Sequence, residues 1–280
     1  MKKISFIDTE VSETDNKAYD FGTIDQSGDK LHTGSANEFH SFIKDAEYLC
    51  GHNIINHDSK YVEIPDNIKL IDTLYLSPIL FPNKPYHSLL KDDKLLIDEL
   101  NNPLNDAQKA MELFYDEVNA FAALDDELKL IYYMLLKDSH YFSGFFEYVD
   151  YTADDDLETA VRVSFLDKIC ENAHLSDIIA DSPVELAYCL ALISATEEYS
   201  LIPRWVQINY PKVDMIMHTL RNVSCRNCVY CRTKLNPDAY LGKYFWYSEF
   251  RKYNGEPLQE KAVAAAVEHK SLLAIFPTGG

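Results

Sequence analysis

Four acidic residues stand where the chain could bring them together. Asp8 and Glu10 form an Asp-Thr-Glu tripeptide after a short apolar run, and alternation along a strand would place both side chains on one face. Asp58 and Asp106 follow in Gly-His-Asn-Ile-Ile-Asn-His-Asp and Asn-Asn-Pro-Leu-Asn-Asp-Ala. Converging carboxylates repel one another unless a cation neutralises them, and Mg²⁺ or Mn²⁺ prefers such oxygen ligands. Two such ions roughly 4 Å apart activate a water for attack on a phosphodiester. The alternative is acids at helix caps and in solvated turns.

A second group of residues with ligand chemistry is the cysteine cluster Cys225, Cys228 and Cys231, spaced Cys-x2-Cys-x2-Cys. Such turns chelate Zn²⁺, which needs a fourth ligand to complete its tetrahedron. His218 is the nearest upstream candidate, and a residue beyond Gly280 is another. A three-cysteine iron–sulfur site and a reduced thiol-rich loop are the alternatives. The remaining cysteines are isolated in sequence and are interpreted as reduced core thiols: Cys50, Cys170 and Cys189.

Short strands would position the acidic residues. Apolar or alternating runs predict strands over residues 4–9, 17–24, 30–32, 48–50 and 69–72. The second and third of these flank a polar turn and form a predicted hairpin. The first strand ends at the Asp-Thr-Glu tripeptide, so the sheet would hold Asp8 and Glu10.

Helices are predicted between and after these strands. The spacing predicts a helix over 38–46, another that Asp58 enters, and a long one over 106–124 with Asp106 in its first turn. This alternation indicates an α/β domain, β-rich at its start and helical afterwards. From residue 125 to about 218 only helical patterns occur, apart from a predicted loop over 148–156.

The charge of the chain is unevenly distributed. Its formal net charge is −19, and residues 1–220 carry 17 Lys and Arg against 40 Asp and Glu. Residues 221–252 carry seven basic residues against two acidic ones, and phosphate binding is driven by Lys and Arg. A nucleic-acid footprint is therefore expected in the second region. The acidic bulk is interpreted mainly as a solvated surface.

The N-terminus carries no signal-peptide pattern, because Asp8 interrupts the first apolar run, and no stretch of 18 apolar residues occurs. The sequence therefore predicts a cytoplasmic protein with no membrane partner.

The order of these motifs carries a family resemblance. Asp-x-Glu, Gly-His-Asn-(x4)-Asp, Asp-Thr-Leu and Asn-Asp-Ala, in this register over residues 1–120, resemble the DEDD superfamily of 3′–5′ exonucleases, which includes polymerase proofreading domains. The resemblance implies an RNase H-like mixed sheet flanked by helices. It also implies that Asp8, Glu10, Asp58 and Asp106 bind two Mg²⁺ or Mn²⁺ ions and hydrolyse DNA at its 3′ end.

The sequence departs from the family at the general base. One subgroup has a histidine five residues before the last aspartate, and another has a tyrosine four residues before it. Those positions hold Asn101 and Asn102, and neither amide can accept the proton. Loss of a general base usually costs about 10²–10⁴-fold in rate. His57 and His87 are the candidate substitutes, with a surface or supporting role as the alternative for each.

The last forty residues carry a second resemblance. Phe250-Arg251, then Gln259 before a helix, then Ala-Ile-Phe-Pro-Thr-Gly-Gly resemble the opening of a RecQ-like superfamily 2 helicase over residues 244–280. The resemblance implies that Gln259 reads adenine and that Thr278, Gly279 and Gly280 begin a phosphate-binding loop. We expect ATP to be a cofactor only of a longer exonuclease–helicase, of which this sequence would be the N-terminal part.

The sequence predicts four units: an exonuclease-like domain over 1–124, a helical region over 125–218, a basic cysteine-rich segment over 219–243, and a helicase start over 244–280. The leading hypothesis is a DNA exonuclease acting on a single-stranded or duplex 3′ end. The rival is a catalytically degenerate module that holds DNA ends for the helicase, which Asn101 favours. A third is an interaction protein in which the motifs are coincidental.

Overall fold

A computed structural model describes residues 2–12, 14–89, 102–195, 201–267 and 273. The fold is mixed α/β, with one sheet of five strands: β1 (Ile4–Val11), β2 (Ala18–Asp25), β3 (Lys30–Thr33), β4 (Tyr48–Gly51) and β5 (Lys69–Asp72). All five strands fall where the sequence predicts them, and β2 and β3 form the expected hairpin. The α/β class is therefore confirmed.

The sheet has the order β3-β2-β1-β4-β5. Strand β2 runs antiparallel to both of its neighbours, whereas β4 and β5 run parallel to β1. Strand β1 therefore lies at the centre of the sheet. Its C-terminal end, which carries Asp8 and Glu10, projects past its pairing with β4, which ends at Phe6.

Thirteen helices lie in the described ranges. In the first half these are α1 (Ala36–Ile43), α2 (Thr73–Leu80) and α3 (Pro103–Ala123). The second half adds α4 (Asp126–Leu136), α5 (Ser143–Tyr148), α6 (Leu157–Ser164), α7 (Leu175–Asp181), α8 (Pro183–Ala195), α9 (Arg204–Asn209), α10 (Val213–Arg221), α11 (Val229–Lys234), α12 (Pro237–Phe245) and α13 (Leu258–Val267). The predicted helical character of 125–218 is thus confirmed where the chain is described, including the loop after Tyr148. None of these helices has the length and apolarity to cross a bilayer.

The two faces of the sheet belong to different cores. Ile4 and Phe6 pack in the large core with Phe114 of α3 and the helices that follow. Ile7 packs in the smaller core with Phe39 of α1. Side chains alternate between the faces of a strand. Asp8 and Glu10 therefore continue the face of Ile4 and Phe6 and emerge on the side of α3.

The predicted helix at Asp58 is wrong. Asp58–Lys60 forms a single 3-10 turn, closed by a hydrogen bond from the Tyr61 N–H to the Asp58 carbonyl. Pro65 follows shortly, and a proline disfavours helical backbone at the residue before it. The chain consequently does not continue as a helix after the turn, and Asp58 is buried at the start of the turn.

Helix α2 connects the sheet to the helical half. The Tyr188 hydroxyl of α8 donates to the Tyr75 carbonyl of α2 at 3.1 Å. The Tyr75 ring stacks on Tyr141 at 4.2 Å and meets the Trp205 ring of α9 edge-on at 4.8 Å. These aromatic contacts fix the start of α9 beside the C-terminal end of the sheet.

Candidate metal centre

Three of the four predicted carboxylates converge. One carboxylate oxygen from each of Asp8, Glu10 and Asp106 lies within 4.8 Å of the other two, and all three residues are partly exposed. Strand alternation aims the first two at α3, and Asp106 stands in the first turn of that helix, as predicted. Three negative charges this close favour a bound cation. The arrangement suits a divalent ion with oxygen ligands.

A glycine allows α3 to approach the sheet this closely. Gly22 pairs with Asp8 across β1 and β2. A Cβ atom on Gly22 would lie 2.2 Å from the Leu104 nitrogen and 2.2 Å from the Pro103 carbonyl carbon. The backbone at the start of α3 thus occupies the space that any other side chain would fill. Because Gly22 has no side chain, the start of α3 can lie against β2, and this brings Asp106 close to Asp8.

Asp58 lies nearby but does not belong to the group of three. Its Oδ1 accepts a hydrogen bond from the Thr9 hydroxyl at 2.7 Å, and the carboxylate is buried. Side chains alternate along a strand, so Thr9 points to the face of the sheet opposite to Asp8 and Glu10. Its hydrogen bond holds Asp58 towards that opposite face. The structure therefore places Asp58 behind the three-carboxylate group, connected to it through the Asp-Thr-Glu backbone.

Asp72, which the sequence showed only as part of Asp-Thr-Leu, organises the loop before Asp58. Its Oδ1 accepts from the N–H groups of Asn53 and Leu74, and its Oδ2 accepts from Ile55 N–H. It is thereby also the N-cap of α2. Burial raises the pKa of Asp72 to about 7, against the lowering effect of these three hydrogen bonds. Asp72 therefore holds the 53–55 backbone in place and does not belong to the three-carboxylate group.

A cleft of about 410 Å³ opens beside the carboxylates. Asp8 and Asp106 line one side of it, and His52, His87 and Arg204 line the remainder together with Asn53, Leu74, Pro85, Tyr86, Ser88, Leu89, Pro203 and Trp205. The cleft thus combines acidic groups, imidazoles, one arginine and two aromatic rings.

Two neutral imidazoles line this cleft: His52 is partly exposed and His87 is buried. The Nδ1 atoms of His52 and His87 are hydrogen-bonded to Thr73 Oγ1 at 2.9 Å and to Ser77 Oγ at 2.8 Å. Neither Nε2 has a hydrogen-bond partner among the described residues. Burial lowers the pKa of each histidine to about 4, and the charge of Lys84 acts in the same direction on His87. Both Nε2 atoms are buried, so in this conformation neither is open to a molecule in the cleft.

The other candidate bases lie elsewhere. His57 is nearly half exposed, and the Asp58 carboxylate 3.8 Å from its Nδ1 raises its pKa. Asn102 is the N-cap of α3, where its Oδ1 accepts from Leu104 N–H at 3.0 Å. Asn101 lies outside the described residues. Among the described candidates, His87 is the one that lines the cleft with Asp8 and Asp106.

Sequence reasoning missed His52, Arg204 and Trp205 as cleft residues. His52 belongs to the quoted Gly-His-Asn motif, so its position beside the strand end was available as a signal. Arg204 and Trp205 reach the cleft through the packing of α9 on Tyr75, for which no local sequence pattern exists.

No family model matches this chain, and neither a curated protein nor a solved structure is significantly similar to it. The chemistry of the site is therefore inferred from its own geometry.

The cysteine cluster contains a residue that the sequence placed elsewhere. The sulfur atoms of Cys170, Cys225, Cys228 and Cys231 all lie within 4.8 Å of one another. The interpretation of Cys170 as an isolated core thiol is therefore wrong, because the chain after α6 folds back against the turn before α11. His218, the upstream candidate for a fourth ligand, does not belong to this group. Cys50 and Cys189 are buried free thiols, as expected.

The helicase-like segment is described only in part. Gln259 is half-buried as the second residue of α13. It lines a cavity of about 900 Å³ together with Phe245, Phe250, Arg251 and Val263. Thr278, Gly279 and Gly280, expected to begin a phosphate-binding loop, lie outside the described residues.

Proposed function

We propose that this chain is a DEDD-type, metal-dependent 3′–5′ exonuclease built on an RNase H-like sheet, and that DNA is its substrate. The observation that carries the proposal is the convergence of Asp8, Glu10 and Asp106. Two of these acids come from one strand and the third from a helix, in the order that the DEDD resemblance implies. The mixed sheet with helices on both faces is compatible with the RNase H-like arrangement.

The three carboxylates would hold Mg²⁺ or Mn²⁺, whereas Asp58, which lies outside the group of three, would support the site without binding an ion in this conformation. When bound, such ions supply a nucleophilic water and stabilise the leaving oxygen of a phosphodiester. Asp58 contributes from behind, because its hydrogen bond to the Thr9 hydroxyl fixes the backbone between Asp8 and Glu10. Cations here would also allow an acidic chain to bind a polyanion.

His87 is proposed to replace the missing general base. It is neutral at pH 7 and lines the cleft with Asp8 and Asp106. Its Nε2 has no partner among the described residues but is buried, so this atom would have to become exposed before it could accept a proton from water. Its hydrogen bond to Ser77 fixes the ring orientation. A base with a pKa near 4 is weak, so we expect a modest rate. His57, being exposed and paired with Asp58, is the second candidate.

The lining of the cleft favours a single-stranded end. Tyr86 is 77% exposed, and with Trp205 it offers aromatic surface on which a base can stack. Arg204 is exposed at the start of α9 and can pair with a backbone phosphate. Stacking and phosphate contacts tolerate any base sequence, as an exonuclease without sequence preference requires. Basic residues in 221–252 would contact DNA farther from the end.

The helicase resemblance makes DNA the preferred nucleic acid. Gln259 would read adenine in the cavity it shares with Phe250 and Arg251, and ATP would be the ligand of this helicase-like segment. This assignment is independent of the carboxylate site.

A second candidate function is a DNA-end-binding module without catalysis. Asn102 favours it, because its side chain is engaged as a helix cap and cannot act as a base. The deciding experiment is metal-dependent digestion of a labelled strand with an Asp8→Ala control. An end-binding module would hold the strand and leave it intact, whereas an exonuclease would shorten it.

A further inference from the structure

Four cysteine sulfurs come together from two distant parts of the chain. Cys170 is buried in the turn after α6, whereas Cys225, Cys228 and Cys231 lie in and after the turn that leads into α11. All four sulfur atoms lie within 4.8 Å of one another. Three of the cysteines come from one short segment, and the fourth lies more than fifty residues earlier in the chain. The fold therefore brings together four thiols that are not all neighbours in sequence.

The local backbone shapes these residues as ligands. Sulfur atoms accept hydrogen bonds from three backbone N–H groups: Cys228 N–H to Cys225 Sγ at 3.4 Å, Cys231 N–H to Cys228 Sγ at 3.3 Å, and Cys225 N–H to Cys231 Sγ at 3.4 Å. Arg226 adopts a left-handed conformation with φ of 65°, which tightens the turn after Cys225. Hydrogen bonds donated to sulfur stabilise the thiolate form that binds metals.

The segment that carries Cys170 is fastened to the other three cysteines. The Asn172 amide donates to Cys225 Sγ at 3.2 Å, and the Cys170 N–H donates to the Leu220 carbonyl at 2.8 Å. The Glu171 carboxylate accepts from the Val229 N–H at the start of α11 at 3.0 Å. These contacts hold the segment that carries Cys170 against the other three cysteines.

We infer that Cys170, Cys225, Cys228 and Cys231 form a structural Zn²⁺ site that fastens the basic segment 221–234 to the helical region. Four thiolates about 2.3 Å from one tetrahedral ion would lie about 3.8 Å apart, which agrees with sulfurs that are all within 4.8 Å. A four-iron cluster holds each thiolate on a separate iron and needs a wider arrangement. With four protein ligands the zinc has no open position, so the site is structural and not catalytic.

The proposed zinc site would also position part of the positively charged surface. Arg226 and Arg232 are exposed on the segment that holds three of the ligands. Zinc would therefore fix the orientation of these arginines relative to α6–α10. This role does not depend on the carboxylate cleft.

The test is metal analysis of the purified 280-residue chain, with Cys170→Ala and the matched control Cys189→Ala. Cys189 is equally buried, but it lies outside the cluster. We expect one zinc per chain in the wild type and in the control. In Cys170→Ala we expect zinc affinity to fall more than about 100-fold, because even loss of an outer-shell partner costs about 10–100-fold. Retention of wild-type affinity by Cys170→Ala would overturn the assignment of Cys170.

A second measurement does not depend on the folding of a variant. X-ray absorption at the zinc edge of the wild type should show four sulfur neighbours at about 2.3 Å. Three sulfurs with one nitrogen or oxygen would exclude Cys170. Iron together with acid-labile sulfide would show an iron–sulfur cluster. A chain that binds neither zinc nor iron would have no metal site. Either result would refute the zinc proposal. Chelation should also increase trypsin cleavage at Arg226 and Arg232 but not at Lys44.

Discussion

The Leu104 nitrogen lies 2.2 Å from where a Cβ atom of Gly22 would be. Because Gly22 pairs with Asp8 in the sheet, this contact fixes how far the start of α3 can approach the metal centre. The position of Asp106 therefore depends on a glycine that is not itself a ligand.

Gly22→Ala should separate α3 from the sheet. The added methyl group would meet the Pro103 and Leu104 backbone, and overpacking of this kind typically costs about 1–3 kcal/mol. We expect Mn²⁺ affinity to fall at least about tenfold as Asp106 moves, measured by titration calorimetry. Gly28→Ala is the control: it strains a positive-φ turn in open space, so it should cost stability without weakening Mn²⁺ binding. Equal Mn²⁺ affinity in both variants would refute this role of Gly22.

Asp106→Asn should abolish high-affinity binding of Mn²⁺ and leave the fold intact. The substitution removes one of three negative charges that converge within 4.8 Å while keeping the side-chain volume. Asp116→Asn, on the exposed face of the same helix, is the matched control and should bind Mn²⁺ like the wild type. A wild-type Mn²⁺ affinity in Asp106→Asn would mean that the three acids do not share an ion.

His87→Gln should lower the rate of DNA hydrolysis by about 10²–10⁴-fold and leave Mn²⁺ binding unchanged. The reason is that His87 lines the cleft with a neutral imidazole, and its Nε2 has no partner among the described residues. Single-turnover digestion at saturating Mn²⁺ measures the effect. His40→Gln, on an exposed histidine that contacts the Glu63 carbonyl, is the control. A comparable loss in His57→Gln with none in His87→Gln would assign the base to His57.

The contribution of His87 to fold stability should fall below neutral pH. Its pKa is about 4 in the folded chain against about 6.5 when unfolded, so as pH falls the unfolded chain takes up the proton first. The stabilisation is complete above pH 6.5 and is lost as pH falls towards 4. It amounts to roughly 3 kcal/mol.

Urea unfolding at about pH 7 and about pH 5 measures this dependence. Asp72 acts in the opposite direction over the same range, because its pKa is raised to about 7. The difference between wild type and His87→Gln is therefore the informative quantity. We expect the variant to lose less stability than the wild type on acidification, and an equal loss would show that His87 titrates normally.

The strands of the sheet could be predicted because each is a short run of apolar or alternating residues that is recognisable from its own sequence. Local sequence also predicts that Asp8 and Glu10 lie on the same face of β1 and that Asp106 lies in the first turn of α3. The helix at Asp58 was not correctly predicted, because a single 3-10 turn and Pro65 take the place of helical continuation.

The rest of the site depends on tertiary packing. Cys170 has no neighbouring ligand in sequence, and only the folding of the α6–α7 turn against the turn before α11 brings it to the cysteine cluster. Arg204 and Trp205 reach the cleft because Tyr75 positions α9. Periodicity and spacing carry no information about such long-range contacts.

The central claim is that Asp8, Glu10 and Asp106 support hydrolysis at a DNA 3′ end. The most direct test is digestion of a 5′-labelled single strand by the purified chain, resolved to one nucleotide, with Mg²⁺, Mn²⁺ or EDTA. Asp8→Ala and Asp116→Asn are prepared identically, so that a contaminating nuclease would appear in every sample. We expect stepwise 3′ shortening with metal in the wild type and in Asp116→Asn, and none in Asp8→Ala or with EDTA. An intact strand in the wild type, despite Mn²⁺ binding, would contradict the central claim and favour a module that holds DNA ends without cutting them.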